Sequence, residues 1–353
     1  MNRLLHSALI AATLLTAACS SRPEPGTSLA LPRGESPVNT AEFDKVFDDV
    51  TAVSGDSLHS LMVIKDGKVI YERYAKGHSA DEAHVMNSVS KSFLSVAVGF
   101  AVQEGLMTVQ DKVVKYFSDE ELPPADERNP WLTDLTVHDL LRMSSGFQHG
   151  NIDRQRSTNW AKDVLAIPQT WQPGTRFNYN SMNSYLLSVI VSRVTGEKVN
   201  DYLQERLFTP LGIESHEWQE SPQGYNAGGW GMYITTESLA KISLFVLQKG
   251  MWNGKQLLGS AWFDEACKAQ IMEYEGEDIT PEEAAVKYAG DQWNMGYGYQ
   301  FWMDAEGGCR LDGARGQFGI VMPDKNAVIA TTADVRNNKI LFYSAWEHIH
   351  DQL

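Results

Sequence analysis

The spacing of apolar positions changes period twice along the chain, from extended to helical and back. Residues 61–64 and 69–74 are two apolar runs flanking Asp66-Gly67, a dipeptide that tolerates positive φ, and they predict a β-hairpin. From residue 88 to 104, Val89, Phe93, Val96, Ala97 and Phe100 recur at helical spacing, and Gly105 marks the stop. Shorter helical patterns cover residues 137–142, 160–166, 182–194 and 200–208, broken repeatedly by Gly and Pro. Thr235-Thr236-Glu237 opens a further helix that runs to Leu247, with an acid in the first turn to suit the helix dipole. Beyond it the pattern becomes extended. Residues 297–303 and 310–312 read as strands, and 317–322 with 327–332 as a hairpin about Pro323-Asp324-Lys325-Asn326. A helix over 340–350 closes the chain.

Strands therefore lie towards both ends and helices fill the middle, with no internal repeat. The expected fold class is α/β of the α+β kind. It comprises an antiparallel sheet built from both chain ends and flanked by helices, with a mostly helical inserted subdomain over about residues 80–220. A cleft between sheet and insertion is the natural place for a ligand.

The N-terminus stands outside this pattern. Arg3 precedes an apolar run over 4–15 that is too short to span a bilayer, and Thr16-Ala17-Ala18 places small residues directly before Cys19. The segment resembles a bacterial lipoprotein signal, which implies cleavage before Cys19 and its lipidation. A plain secretory signal is the competing reading, and both predict export. Residues 1–18 are thus set aside as a signal peptide. Residues 19–37, rich in Pro, Ser and Gly, read as a tether, and 38–353 as the folded domain. The expected location is periplasmic, with a lipid anchor at Cys19 as the membrane contact.

Composition adds exclusions. With 43% apolar and 21% charged residues, the chain is neither disordered nor a multi-span membrane protein. Its 30 basic and 45 acidic residues give a formal charge of −15, which disfavours nucleic acid as a partner. Cys267 and Cys309 either form one disulfide in an oxidising compartment or stay buried as two thiols. There is no cysteine–histidine cluster with zinc spacing. His348 and His350 sit on the last helical pattern without a third ligand and read as a solvated helix end. No metal and no cofactor is expected.

The candidate chemistry begins at Asn87-Ser88-Val89-Ser90-Lys91-Ser92. On a helix, Ser88 and Lys91 share a face at a rise of about 4.5 Å, so an amine can reach the hydroxyl it must deprotonate. Serine is a poor nucleophile without such a base. A helix start also offers free amides and a positive dipole end to an oxyanion. The lysine serves only if neutral, which burial or cationic neighbours would secure. Alone, S-x-x-K is a weak signal. Two further stretches strengthen it. Pro173-Gly174-Thr175-Arg176-Phe177-Asn178-Tyr179-Asn180-Ser181 is a turn entering a helix with a tyrosine at the junction. Leu311-Asp312-Gly313-Ala314-Arg315-Gly316-Gln317 links two strands through a glycine that permits close approach.

Nucleophile helix, tyrosine turn and glycine-bearing strand, in this order and spacing, resemble the serine penicillin-recognising superfamily. It includes class C β-lactamases, serine D,D-peptidases, and related esterases and amide hydrolases. The resemblance extends through residues 135–146, Gly228-Gly229-Trp230-Gly231-Met232, Trp252-Asn253-Gly254-Lys255 and Gly298-Tyr299-Gln300-Phe301-Trp302. It implies that Ser88 is the acylated nucleophile and Lys91 its general base or proton relay. Tyr179 would relay protons through a phenol whose anion a nearby Lys⁺ stabilises. The backbone amides of Ser88 and Ala314 would form the oxyanion hole.

Two departures stand out. The second motif usually reads Tyr-x-Asn, and Ser181 holds the Asn place. Ser181-Met182-Asn183 offers a second register, but the Pro173-Gly174 anchor favours Tyr179. The third motif usually carries Lys or His two residues before Gly313, where Leu311 and Asp312 stand instead. That basic residue commonly helps bind a β-lactam carboxylate, so its loss argues against efficient penicillinase activity. Strand alternation would pair Leu311 with Arg315 and Asp312 with Ala314, making Arg315 the candidate substitute for the missing cation. Trp230, Trp171 and Tyr185 are candidates to line an apolar cleft, although aromatic residues more often serve the core.

A G-x-S-x-G elbow is absent, which sets aside an α/β-hydrolase. The expected activity is hydrolysis of an ester or amide through an acyl-Ser88 intermediate, on a small-molecule or peptide-like substrate. The alternatives are a D,D-peptidase or penicillin-binding enzyme, a weak β-lactamase, and a non-catalytic envelope binding protein. Oligomeric state is not readable from the sequence.

Overall fold

Asp66 and Gly67 turn the first hairpin with φ of 50° and 76°, the left-handed conformation their pairing in sequence predicts. The computed structural model describes residues 30–353 apart from 54, 149–151, 215, 273, 275–278 and 294. Its strands are β1 (Ser57–Lys65), β2 (Lys68–Tyr74), β3 (His84–Val85), β4 (Glu217–Trp218), β5 (Met232–Ile234), β6 (Met251–Trp252), β7 (Lys255–Gln256), β8 (Trp302–Met303), β9 (Cys309–Gly313), β10 (Gln317–Met322) and β11 (Ala327–Asp334). Six of them form one sheet in the order β2-β1-β11-β10-β9-β8. All its pairings are antiparallel, and β1 from the N-terminal side pairs with β11 from the C-terminal side. The fold is therefore the expected mixture of helices and an antiparallel sheet built from both chain ends.

Both faces of this sheet are covered, which explains why its central strands read as unbroken apolar runs. Leu61, Val63, Phe318, Ile320 and Ile329 point to one side, where they meet the Lys45–Ala52 helix and the terminal Asn338–His348 helix. Met62, Ile64, Val321, Val328 and Ala330 point to the other, into a larger core with the Thr236–Leu247 and Ser90–Gln103 helices. Ser60, the one polar break on β1's buried side, is bonded at 2.6 Å to both Thr236 and Thr332. The helices Ser90–Gln103, Val137–Leu141, Trp160–Leu165, Ser181–Thr195 and Val199–Leu203 follow one another between β3 and β4. A small sheet, β3-β5-β4, joins the strand entering the first of them to the chain leaving the last.

Several expectations need correction. The run 297–303 is not one strand. Gln300 has a φ of 66° and the chain folds back, so that Gly298 N–H meets the Phe301 carbonyl at 2.8 Å and only Trp302–Met303 joins the sheet. The pattern over 200–208 is a short helix, Val199–Leu203, continued by a π-helical turn over Gln204–Phe208. The end of the segment read as a tether is packed against the domain. Val69 N–H donates to Pro32, Gly34 N–H donates to Val69, and Leu31 is buried. Arg33 there pairs with Glu72 and Glu237. His350 is not solvated: it is buried, stacks on Trp346 at 4.0 Å and bonds Asp324 and Asp351. The signal peptide, Cys19 and the first part of the tether lie outside the described residues. Cys267 and Cys309 form a disulfide that ties the end of the Ser260–Ala266 helix to β9. Among the described residues, no helix is long and apolar enough to cross a membrane.

Candidate active site

Ser88 lies in a 3₁₀ turn, Asn87–Val89, that leads directly into the Ser90–Gln103 helix. The turn begins at Asn87, whose φ of 47° places a non-glycine residue in the left-handed region. An interaction compensates this strain: the Asn87 side-chain amide donates to the Ala314 carbonyl at 2.7 Å. Gly313 approaches from the same side. A Cβ there would stand 2.3 Å from the Met86 carbonyl, so the glycine is required for β9 to pass the nucleophile turn. The close approach expected at this glycine is thus made to the protein's own backbone.

One turn beyond Ser88, Lys91 is buried, and its side-chain nitrogen has three neighbours. Nζ lies 3.0 Å from Ser88 Oγ, 3.1 Å from Ser181 Oγ and 2.6 Å from the Gly229 carbonyl. Burial pushes its pKa down to about 7, while the charge of Asp312 acts in the opposite sense. A neutral amine has two N–H donors and one lone pair. The Gly229 carbonyl can only accept and Ser181 can accept a second N–H, which leaves the lone pair for the Ser88 hydroxyl.

Tyr179 completes the cluster. Lys91 Nζ stands 4.9 Å from its ring centre, and the Ser88 side chain is near enough to its phenol to oppose the rise of its pKa. The ring stacks on Trp302 at 5.4 Å and meets the edge of Tyr297 at 6.0 Å. Burial drives the Tyr179 pKa upward, Ser88 opposes this, and Asp312 adds to the rise. The phenol is therefore protonated near neutral pH, which corrects the expectation of a Lys-stabilised anion. The stretch before it is held by residues Met143 and Ser144: Asn178 N–H donates to the Met143 carbonyl, and Gly174 N–H to that of Ser144. Asn180 then caps the Ser181–Thr195 helix through Met182 N–H at 2.9 Å, placing Ser181 at its first turn. Tyr179 and Ser181 thus both border Lys91, the first with its ring and the second with its hydroxyl.

The third motif differs from expectation. Leu311 is fully buried in the larger core. Gln317 pairs with Gly313, so residues 314–316 form the hairpin turn and strand alternation ends before Arg315. Arg315, at φ 72°, is ion-paired with Asp334 and does not stand in for the missing cation. Asp312 faces the site with its charge already engaged: Arg310 Nε lies 2.9 Å from one oxygen and Asn338 Nδ2 3.1 Å from the other. Burial raises its pKa, opposed by Arg310, Asn338 and Lys91. Arg310 is itself buried, paired with Asp304 and lying over Trp293 at 4.0 Å.

Of the aromatic candidates, Tyr185 belongs to the core and bonds Ser221 and Gln223. Trp171 is half-buried with Arg176 over its ring at 5.5 Å. Trp230 follows the carbonyl that holds Lys91. Its half-buried indole stacks on Trp160 at 6.0 Å and carries Arg154 at 4.8 Å. Asn87, Gly229 and Gln300 were not singled out by sequence reasoning. Gln300 is buried, donates to the Leu140 and Leu141 carbonyls, and accepts from Ser184 at 2.6 Å, joining three segments beneath the site. A polar residue between two aromatic-rich turns was the only signal for it.

The chain is similar to several known proteins. A 6-aminohexanoate-dimer hydrolase of Paenarthrobacter ureafaciens is 24% identical over 275 residues, which cover 69% of each chain. A protein of Escherichia coli strain K12 named as a D-alanyl-D-alanine carboxypeptidase is 26% identical over 180 residues, 44% of this chain and 41% of that one. A Bacillus anthracis structure described as a 6-aminohexanoate-dimer hydrolase superposes with a TM-score of 0.71 at 17% identity, covering 91% of this chain and 86% of the other. The family model described as Beta-lactamase matches residues 43–348, and the chain is therefore a serine hydrolase of the β-lactamase family.

Proposed function

We propose that this hydrolase cleaves a small amide or ester through an acyl-enzyme on Ser88, with Lys91 as general base. The observation that carries the reading is the set of three contacts at Lys91 Nζ, which fixes the buried amine 3.0 Å from Ser88 Oγ. Lys91 takes the Ser88 proton as Oγ bonds to the carbonyl carbon. The oxygen becomes an oxyanion between the amides of Ser88 and Ala314. As the bond to the leaving group breaks, that group takes a proton delivered from Lys91 through the Tyr179 hydroxyl, which passes one proton on and accepts another. Water then attacks the acyl carbon by the same route in reverse, releasing the acid and restoring Ser88.

The amide reading is favoured by the 6-aminohexanoate-dimer hydrolase relative, whose match spans more of both chains than the carboxypeptidase match does. A D,D-peptidase is the second reading. Labelling with a fluorescent phosphonate tests the core of the proposal: the wild type should be labelled and Ser88→Ala should not. Turnover of short amides and p-nitrophenyl esters, without stable acylation by a fluorescent penicillin, is the result expected of an amidase or esterase. Rapid penicillin acylation at Ser88 would favour the peptidase.

We also propose that the protein acts outside the cytoplasm, anchored through a lipid on Cys19. The signal pattern over residues 1–18 and the Cys267–Cys309 disulfide support this, since disulfides persist in oxidising compartments. Labelled palmitate should enter the wild type and be absent from Cys19→Ser. Equal labelling of both would overturn the anchor.

A further inference from the structure

A second group of chemically capable side chains lies beside the strand that leads into Ser88. His59 on β1, His78 in the connection from β2 to β3, and His84 on β3 each present one ring nitrogen within 4.8 Å of the others. The fold alone unites them, because no two are closer than six positions apart in sequence. We infer that His59, His78 and His84 form a binding site for a divalent transition-metal ion of borderline softness, with Zn²⁺ the best match.

The hydrogen bonds around the rings favour ligation over plain packing. His59 Nε2 is bonded to Ser57 Oγ at 3.1 Å, while His59 Nδ1 is buried without a partner. His78 Nδ1 is held by Glu82 Oε2 at 2.8 Å, which leaves its Nε2. His84 is 9% exposed, and its Nε2 is likewise buried without a hydrogen-bond partner. Buried polar nitrogens are ordinarily satisfied, so two orphans in one cluster call for an explanation. A metal-binding histidine characteristically gives its other ring nitrogen to a hydroxyl, carbonyl or carboxylate, as Ser57 and Glu82 provide here.

The surrounding charge also suits a cation. Glu82, whose carboxylate lies 3.7 Å from His84 Nε2, places a negative charge beside the cluster. Three imidazoles with a fourth position left for water or a carboxylate suit tetrahedral Zn²⁺. Zn–N bonds near 2.0–2.1 Å imply nitrogens about 3.3 Å apart, so the rings must draw together by roughly 1 Å or more. His59 and His78 are stacked at 4.0 Å, and the half-buried His78, off any strand, is the ring placed to turn.

The position gives such an ion a consequence. β3 passes from His84 through Met86, whose N–H bonds the Met232 carbonyl, to Asn87 and Ser88. An ion at the three rings would clip β1 and the β2–β3 connection to the segment that sets the nucleophile turn. It would stabilise that segment without taking part in acyl transfer.

The test uses untagged full domain stripped with a chelator, with Co²⁺ and Zn²⁺ alone as probes. Wild type should bind one equivalent of Co²⁺ with the visible absorption of a low-coordinate nitrogen site, Zn²⁺ should displace it, and Zn²⁺ should raise the thermal midpoint. His78→Gln, at a half-buried position, should fold, lose the Co²⁺ bands and bind at least ~100-fold more weakly, with phosphonate labelling of Ser88 retained. His59→Gln is the second variant and should behave alike. Absence of a stoichiometric Co²⁺ complex in the wild type, or identical bands in His78→Gln and His59→Gln, would overturn the site and leave three rings that merely pack.

Discussion

Asn87 Nδ2 donates to the Ala314 carbonyl at 2.7 Å, joining the residue before the nucleophile to the hairpin turn proposed to supply the second oxyanion amide. The bond spans 227 positions of sequence, and it holds Asn87 in a left-handed conformation with φ of 47°. Asn87→Ala should lower stability by about 1–2 kcal/mol through the lost bond and the strained φ. Asn87→Gly should recover most of that stability yet keep a reduced kcat, because the two amides are no longer held in register. Denaturant melts and steady-state kinetics on both variants check this; equal kcat in wild type and Asn87→Gly would refute the positioning role.

Lys91→Met keeps most of the side-chain volume and removes the amine. Acylation should fall by about 10²–10⁴-fold, the range for loss of a general base, with an unchanged circular dichroism spectrum. Ser88→Ala should reduce turnover by about 10⁴-fold or more. Stopped-flow acylation rates decide the matter, and near-wild-type rates for Lys91→Met would remove the lysine from the reaction.

The pH profile follows from the Lys91 pKa of about 7. Below that value the amine is protonated and cannot accept the Ser88 proton, so kcat/KM should rise with pH through neutrality. The negative charge of Asp312 favours the ammonium form. Asp312→Asn should therefore move the rising limb to lower pH. A limb that stays in place, or moves up, would contradict the coupling.

The third motif leaves no cation free for a β-lactam carboxylate, since Leu311 is buried and Arg315 is paired with Asp334. A fluorescent penicillin should acylate Ser88 far more slowly than a neutral p-nitrophenyl ester does. Breaking the pair with Asp334→Asn should not create penicillin acylation, because Arg315 belongs to a turn beyond the strand. In-gel fluorescence over a time course is the measurement.

The Cys267–Cys309 disulfide closes a sequence separation of 42 residues. Loop-closure entropy for such a loop amounts to about 4 kcal/mol, so reduction or Cys267→Ser should lower the unfolding free energy by up to that amount. Activity of the folded protein should persist, because the bridge lies at the far end of β9 from Gly313. Urea titration with and without reductant measures the difference.

Periodic local patterns made much of the fold legible. The hairpin at Asp66-Gly67, the helix after Ser88 and the closing hairpin about residues 323–326 follow from short-range rules of turn chemistry and apolar spacing. The Lys45–Ala52 helix escaped notice, although Val46, Phe47 and Val50 mark its buried face. The run 297–303 misled because its aromatic residues favour strands, while Gln300 reverses the chain to reach the Leu140 and Leu141 carbonyls.

By itself the sequence determined the elements and the chemistry each could bring: a serine and lysine one turn apart, a tyrosine at a helix entrance, and a glycine on a strand. These depend on neighbours a few residues away, and local stereochemistry governs them. Only the tertiary structure decided which groups face one another and in what state of charge. Lys91 approaches neutrality because the fold buries it, Arg315 is lost to Asp334 because a turn ends the strand early, and three histidines converge from separate segments. Burial and long-range proximity arise when distant stretches close over the same volume, and no short window of sequence carries that information.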